Sequence, residues 1–238
     1  YSDNMPIFNN QLAGAAGQGG ADAAYQIDRS LRFNSADSAY LNRTPSSAGN
    51  RKTWTWSGWV KLVKTGAVNT QIFTGGFTGS GGTQTDFQFR ITSGTLDVFN
   101  QVNNSFGWRL VSDAVFRDPS AWYHFVIAHD TTDSTAADRV KVYVNGTRIE
   151  DFSTASYPSL NYDSQVNTTN GHRIGSSDDG GSVYLPMDGY LADVHFIDGQ
   201  ALAASDFGET DADTGVWNPK EYEGTYGTNG FHLDFSDA

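Results

Sequence analysis

Trp59 is the residue of this sequence whose position most suggests ligand binding. Residues 53–64 alternate so that Trp54 and Trp56 fall on one face of a predicted strand, whereas Trp59 falls among the polar side chains of the other face. An indole can stack on a sugar ring, because it offers a flat apolar surface to axial C–H groups. The same side chain can instead pack beneath a loop or against a neighbouring subunit, and the sequence leaves both interpretations open.

Polar side chains on three further predicted strands complete the candidate carbohydrate-binding set. Arg90 and Asp97 face outward on consecutive strands, and Asp193 and His195 share one face of a strand over 189–197. The residues expected on the opposite face of that last strand are Tyr190, Ala192, Val194 and Phe196. His195 with Tyr190 or Tyr184 would be the pair for lyase-type proton abstraction, but residues that face outward along one strand do not make a catalytic site.

Asp178, Asp179 and Asp188 form the candidate metal site, with Ca²⁺ as the expected ion. The first two lie in an acidic glycine-rich loop and the third lies nearby in sequence, and carboxylate oxygens are the ligands that calcium prefers. The alternative is a set of ordinary turns, because Asp bonds the backbone two residues on. His124 and His129 are five apart on one strand and so cannot chelate one metal.

Composition and charge exclude several classes of partner. The net charge of −12 comes from 27 acidic residues against 15 Lys and Arg, and phosphate contacts would need clustered cations. We therefore expect no nucleic-acid partner. No apolar run approaches the roughly 20 residues that span a bilayer, so we expect no membrane insertion. The chain has no Cys, hence neither a disulfide nor a thiolate nucleophile.

The stretch from Trp122 to Glu150 predicts antiparallel β structure. An apolar strand over 122–128 precedes a polar loop and a second strand, in which three valines alternate with polar or aromatic residues. Asn145-Gly146 then accepts positive φ at both central positions of a tight hairpin turn. Further short strands follow one another at about ten-residue spacing, which favours a sandwich or barrel. Their predicted inward residues are Phe87, Phe89, Ile91, Leu96, Val98, Phe106, Trp108 and Leu110.

The two ends of the chain differ from its middle. Residues 1–28 are rich in Gly and Ala without a sustained period, so we expect an extended N-terminal arm or linker. Residues 29–238 are expected to form one domain, because all-β sandwiches often exceed 200 residues. Its first strand, Leu31-Arg32-Phe33, is expected to pair with a short strand at Tyr40-Leu41.

Three segments carry a resemblance to a known family. They are SLRFNSADSAYL with TWTWSGWVK, then WYHFVIAHD and VKVYVNGTRI, then HRIGSS with MDGYLADVHFIDGQALAASDFG. In this order they resemble the concanavalin A-like lectin/glucanase superfamily, specifically its laminin-G-like domains, over residues 30–207. The closing segment KEYEGTYGTNGFHLDFSDA resembles the version found in virion proteins of tailed bacteriophages, notably tail fibres.

The resemblance implies an all-β, two-sheet antiparallel jelly-roll sandwich of six or so strands per sheet, with the first and last strands adjacent in one sheet. Enzymes of the superfamily that hydrolyse β-glucans carry two Glu residues on one strand, which flank the scissile bond. The four Glu residues here do not form that pattern: Glu150, Glu209, Glu221 and Glu223. We therefore expect no catalytic residues and a protein that is not an enzyme.

The sequence thus predicts a non-enzymatic structural and adhesion module on the surface of a phage-type virion, assembled in the host cytoplasm and then extracellular. Its expected partners are other virion subunits, further copies of itself in a homo-oligomer, and host-surface polysaccharide. One alternative is a purely architectural assembly protein without glycan binding, and another is a polysaccharide-degrading enzyme of the same fold. Fold alone cannot choose among these functions.

Overall fold

Strands with one buried face stack as two antiparallel sheets of seven strands each. The computed structural model describes residues 25–64 and 69–236. The first sheet has the order β1-β15-β3-β8-β9-β10, with β18 also paired to β15. Its strands are β1 (Leu31–Phe33), β3 (Thr53–Leu62), β8 (Tyr123–Asp130), β9 (Val140–Val144), β10 (Thr147–Arg148), β15 (Gly189–Asp198) and β18 (Phe231–Leu233).

The second sheet has the order β11-β7-β6-β5-β4-β12-β2. Its strands are β2 (Leu41–Arg43), β4 (Asn69–Thr78), β5 (Thr85–Thr92), β6 (Thr95–Val102), β7 (Ser105–Val115), β11 (Phe152–Ser156) and β12 (Gly171–Ile174). Two small ribbons lie outside the sheets: β13 (Ser177–Asp179) with β14 (Ser182–Tyr184), and β16 (Gly208–Thr210) with β17 (Trp217–Pro219). Single 3₁₀ turns occur at Ser35–Asp37, Ala136–Asp138 and Ala204–Asp206.

The core fills the space between the two sheets and confirms most of the predicted alternation. Trp54 and Trp56 of β3 are fully buried there, where they pack edge-on against Phe87 and Phe89 of β5 respectively. Edge-to-face packing suits aromatic rings, because the positive edge of one meets the negative face of the other. Both rings therefore join β3 of the first sheet to β5 of the second.

The central hairpin has the predicted turn. Val140 and Val142 are buried in the core, and Asn145 and Gly146 have φ values of +47° and +81°. Positive φ at both central positions is the geometry of the primed turn that joins two adjacent strands. The side-chain oxygen of Asn145 also accepts the backbone N–H of His124, so the turn is held to the neighbouring strand.

The structure corrects the predicted pairing of the first two strands. Leu31–Phe33 pairs with β15 in the first sheet, whereas Leu41–Arg43 pairs with β12 in the second sheet. Residues 34–40 therefore cross from one sheet to the other and do not form a hairpin turn. The first and last strands share one sheet, as the resemblance implies, but they are not paired with each other, since β1 and β18 each pair with a different part of β15.

A second correction concerns Phe106, which is 51% exposed and so does not face the core with Trp108 and Leu110. The pairing of β6 with β7 shifts register here: Asn100 lies opposite Trp108, but Gln101 lies opposite Phe106. The extra residue is Gly107, a β-bulge that reverses the alternation on one side of it.

Residues 25–28, the described part of the expected N-terminal arm, line cavities on the outer face of the first sheet. The remainder of that arm, residues 1–24, lies outside the described residues. Within the described part of the chain, no helix has the length and apolar character needed to cross a bilayer.

Candidate functional site

The outer face of the first sheet carries two adjoining cavities, and residues 25–29 line both of them. The larger cavity has a volume of about 650 Å³ and we call it the tryptophan groove, after Trp59 and Trp122 in its wall. The smaller cavity has a volume of about 350 Å³ and we call it the histidine pocket, after His195 and His232.

The tryptophan groove combines two aromatic rings with exposed polar groups. Trp59 and Trp122 are partly exposed in its wall. Glu209, Asp211 and Asn218 come from the segment that folds back over the sheet. Sugar-binding sites use this combination, because a ring can stack on the indole while carboxylate and amide groups bond its hydroxyls. The predicted platform at Trp59 thus lies in a groove that is partly covered by a loop.

Trp59 is held from below by a row of stacked rings. Its indole stacks on the imidazole of His124 with ring centroids 5.0 Å apart, and His124 stacks on Trp217 at 6.0 Å. Trp217 Nε1–H donates to Nδ1 of His124 (3.0 Å), so Nε2–H of the same imidazole donates to Ser57 Oγ (2.9 Å). Burial lowers the pKa of His124 to about 3, which keeps it neutral. The row fixes the orientation of the platform.

One polar atom of the platform has no partner. The indole Nε1 of Trp59 is buried and makes no hydrogen bond within the described residues. A buried donor without an acceptor costs free energy on the order of 1–3 kcal/mol.

A β-bulge places the residues of the histidine pocket. Along β15, Ala192 lies opposite Trp59 and His195 lies opposite Ser57, so two residues of β15 face the single residue Gly58. Asp193 adopts a left-handed backbone conformation with φ of +48°. Bulges re-aim side chains in this way. Asp193 and His195 consequently share the outer face, as predicted.

The same bulge corrects the predicted inward face of β15. Leu191, Val194 and Phe196 lie in the core, whereas Ala192 lines the tryptophan groove on the outer side. Tyr190 is only partly buried. Alternation therefore holds on each side of the bulge but not across it, since the additional residue shifts the period by one.

Three residues meet at the centre of the histidine pocket. His232 Nε2 donates to Oδ1 of Asp193 (2.6 Å), and His195 Nε2 lies 3.2 Å from the same oxygen. The two imidazoles are stacked with centroids 4.2 Å apart. Tyr25 Oη–H also donates to this oxygen at 2.9 Å, and Tyr226 Oη lies 2.9 Å from His195 Nδ1.

Burial and neighbouring groups set the charges in this pocket. Burial alone would raise the pKa of Asp193, but the two adjacent imidazoles outweigh it and hold that pKa well below its usual range. Burial lowers the pKa of His195, against the attraction of Asp193. Burial raises the pKa of Tyr226 to about 12, so its phenol stays protonated at neutral pH and is a poor base. The pocket therefore holds a carboxylate anion beside the His195 imidazole, whose neutral form burial favours.

The pocket offers the residue types that bind transition metals. Among the described residues, Asp193, His195 and His232 form the group whose ligand atoms all lie within 4.8 Å of one another. His195 and Tyr226 could also pass a proton between them, but Tyr184 is on a separate ribbon and plays no part here.

The structure divides the candidate carbohydrate-binding residues between two faces. Arg90 and Asp97 lie on the outer face of the second sheet, on the far side of the core from Trp59, Asp193 and His195. The five residues therefore cannot form one site. Sequence alternation assigns each side chain to the inside or outside of its own sheet, but it does not say which of the two outer faces it reaches.

Arg90 and Asp97 are engaged with each other and with a third residue. The buried carboxylate of Asp97 accepts hydrogen bonds from both Arg90 and Arg109, with distances of 2.8–3.0 Å. The guanidinium groups in turn lie over the rings of Phe99 and Phe106. The carboxylate and the two guanidinium groups therefore satisfy one another's hydrogen bonds, as in a structural network on a sheet surface.

The predicted calcium ligands are not brought together. Asp178 Oδ2 lies 2.6 Å from Arg173 Nη2, whereas Asp188 is paired with Arg32 and with Lys64 Nζ at 2.8 Å. Asp179 accepts the backbone N–H of Gly81. A carboxylate neutralised by its own cation has little excess charge to hold Ca²⁺. Because the three residues are engaged at separate places, they do not form one site.

The comparisons with known proteins agree with this architecture. A laminin-G family model, described as "Concanavalin A-like lectin/glucanases superfamily", matches residues 33–206. The chain therefore belongs to the concanavalin A-like lectin/glucanases superfamily, and its fold is of the lectin and laminin-G type. No curated protein sequence matches it.

Solved structures with a similar fold include three of different origin. Domains LG4-5 of the mouse laminin α1 chain match with a TM-score of 0.50 and 7% identity, over 89% of this chain and 48% of that one. The NanB sialidase of Streptococcus pneumoniae (K499G mutant) matches with a TM-score of 0.50 and 14% identity, over 78% and 29%. The native heptameric SAP-like pentraxin of Limulus polyphemus matches with a TM-score of 0.43 and 18% identity, over 76% of both chains.

Proposed function

We propose that this protein is a non-enzymatic glycan-binding module whose binding site is the tryptophan groove. The observation that carries the proposal is the pair of partly exposed indoles, Trp59 and Trp122, in the wall of a cavity of about 650 Å³. Apolar stacking surfaces with a few polar groups are what a saccharide needs from a protein.

The charge of the groove selects among glycans. Asp28, Glu209 and Asp211 line it, against a single cation at Arg29. An excess of carboxylates repels sialic and uronic acids and favours neutral or amino sugars. The module therefore takes neutral or cationic saccharides, and added salt weakens its discrimination against anionic ones.

A glycan array with the module coupled to a multivalent carrier tests this function, because linked copies raise the avidity of weak sites. The array carries neutral, N-acetylated, amino, sulfated and sialylated oligosaccharides. Trp59→Ala and Trp122→Ala should each abolish the signal on neutral and amino sugars. Arg90→Ala, on the opposite face, is the matched control and should bind as the parent does. A signal that is lost in the control but kept in both tryptophan variants would refute the proposal.

The expected lack of catalytic activity is tested on the same sugars. The Glu pair of superfamily hydrolases is missing from the sequence, which supports a module that binds without cleaving. Overnight incubation with the bound oligosaccharides should release neither reducing ends nor unsaturated products. Release of either by the parent chain, but not by His195→Gln, would instead support an enzyme.

The setting we propose is the surface of a tailed-phage particle, where many copies act at once alongside other virion subunits. The support is the resemblance of the closing segment from Lys220 onward to that of phage virion proteins. Multiple copies would convert low intrinsic affinity into stable attachment to host-surface polysaccharide. Antibody raised against the module should decorate intact particles of the source phage in electron micrographs, and unlabelled particles would reject this placement.

A further inference from the structure

The geometry of the histidine pocket points to a binding site for one divalent transition-metal ion, with Asp193, His195 and His232 as its protein ligands. The three ligand atoms all lie within 4.8 Å of one another. Two imidazole nitrogens and one carboxylate oxygen form the donor set that zinc and related first-row ions take in proteins. The site is separate from the tryptophan groove and does not rest on glycan binding.

The separations fit a metal ion. Zinc binds nitrogen and oxygen at about 2.0–2.2 Å, which places the ligands of a tetrahedral ion roughly 3.3 Å apart. Asp193 Oδ1 and His195 Nε2 are 3.2 Å apart. His232 Nε2 is at 2.6 Å from the same oxygen, in hydrogen-bond contact. Because the side chain of His232 is 31% exposed, its ring has room to turn away from the stacked position and admit the ion.

An orphaned nitrogen points into the site. His195 is 2% exposed, and its Nε2 makes no hydrogen bond although it faces the Asp193 carboxylate. Buried polar atoms without a partner are rare, and a bound ion or water commonly satisfies such an atom. When Nδ1–H of His195 donates to Tyr226 Oη (2.9 Å), Nε2 holds a lone pair beside an anionic oxygen. A cation between those two atoms would satisfy both.

The surroundings hold the ligands in place. Tyr226 stacks on the His195 ring at 6.0 Å as well as contacting its Nδ1, which is the outer-shell arrangement that orients a metal-binding imidazole. Asp193 adopts the αL conformation at the bulge, with φ of +48°, which residues other than Gly adopt infrequently. Strain of this kind collects at functional sites, and here it turns the carboxylate toward both histidines.

The donor set also decides which ions bind. Ca²⁺ takes six to eight oxygen ligands, and a site with two imidazoles suits it poorly. Zn²⁺, Co²⁺ and Ni²⁺ accept imidazole readily. The cavity of about 350 Å³ beside the ligands leaves a coordination position open to water or to the phenol of Tyr25.

Metal titration of the EDTA-stripped chain, prepared without a polyhistidine tag, tests the site. Calorimetry with ZnCl₂ should give one ion per chain, and CoCl₂ should give the visible absorption of a nitrogen- and oxygen-bound ion. His232→Gln, a change at a partly exposed side chain, should weaken zinc binding at least tenfold. Tyr226→Phe should weaken it by about tenfold through the lost contact to His195. Glu221→Gln, a carboxylate in the wall of the same cavity, is the matched control and should change affinity less than twofold.

Three results would overturn the assignment. They are the lack of saturable binding of both ZnCl₂ and CoCl₂ by the folded parent chain, tighter binding of CaCl₂ than of ZnCl₂, and parent-like zinc affinity in His232→Gln. Circular dichroism of each variant separates loss of a ligand from loss of the fold.

Discussion

Three histidines that are buried in their neutral form should make this protein unstable in mild acid. Burial lowers the pKa of His124 to about 3 and those of His129 and His172 to about 4. In two of the three the hydrogen bonds require a neutral ring. His172 Nε2 accepts the backbone N–H of Asn167, and His124 Nδ1 accepts from an indole. A proton added at either nitrogen would face another N–H.

The sign and size of the effect follow from linkage. The unfolded chain binds a proton at each histidine near pH 6.5, whereas the folded chain resists it down to pH 4 or below. Stability is therefore complete above pH 6.5 and falls as the pH drops toward the folded values. Each group contributes about 1.4 kcal/mol per pH unit in that window, and the three together about 4 kcal/mol. Between pH 7 and pH 5 the loss should be roughly 5 kcal/mol, comparable with the whole stability of many domains.

Urea denaturation at intervals of half a pH unit, in EDTA, measures this slope. His172→Gln keeps an acceptor for the Asn167 N–H and removes one titrating group, so it should lower the slope by about a third. Asp86 works in the opposite direction, because burial raises its pKa and its protonation favours the folded state in acid. A free energy of unfolding that stays level between pH 7 and pH 5 would refute the assignment of neutral buried histidines.

Two further predictions concern stability. Gly146→Ala should destabilise the fold by about 1–3 kcal/mol, because φ is +81° and a Cβ would lie 2.4 Å from the ring of Trp217. Gly181→Ala, with φ of +93° in open space, is the control for the cost of positive φ alone. Equal losses of stability in the two variants, measured by thermal unfolding, would contradict the role of the ring contact. Asp97→Ala should lower the free energy of unfolding in urea by about 3 kcal/mol, since Arg90 and Arg109 lose their buried acceptor. A decrease below about 0.5 kcal/mol would show that water replaces the carboxylate.

The sequence predicts the sandwich well because the alternation of apolar and polar residues along a strand follows directly from which face is buried. Trp54 and Trp56 on one face, and Val140 and Val142 on another strand, are fixed by the requirement to fill one core. The turn at Asn145-Gly146 is equally local, since only certain residues accept positive φ there. These features need no knowledge of distant parts of the chain.

The functional face is harder to predict, because bulges and long-range contacts build it. Nothing in the local sequence marks Asp193 as a bulge, yet that one residue decides which side chains of β15 reach the core. His232 meets Asp193 across 39 residues of sequence. Its alternation with Phe231 and Leu233 is the local signal for its position, and that signal names no partner.

The predicted calcium ligands are not brought together for a related reason. Asp178 and Asp188 are close in sequence, but each is neutralised by a cation from elsewhere in the chain, Arg173 and Arg32 respectively. The spacing of acidic residues along a loop identifies candidate carboxylates, but it does not show which arginines pair with them in the fold. Trp122 lines the groove beside Trp59, but the sequence pattern predicts it only as the start of a strand.

Indole N–H resonances during a glycan titration test the central claim most directly. Trp54, Trp56 and Trp108 are fully buried and serve as internal controls, whereas Trp59 and Trp122 line the groove. A neutral oligosaccharide selected on the array should shift the Trp59 and Trp122 signals in a saturable way and leave the three core signals in place. Saturable binding that moves neither groove resonance would contradict the account.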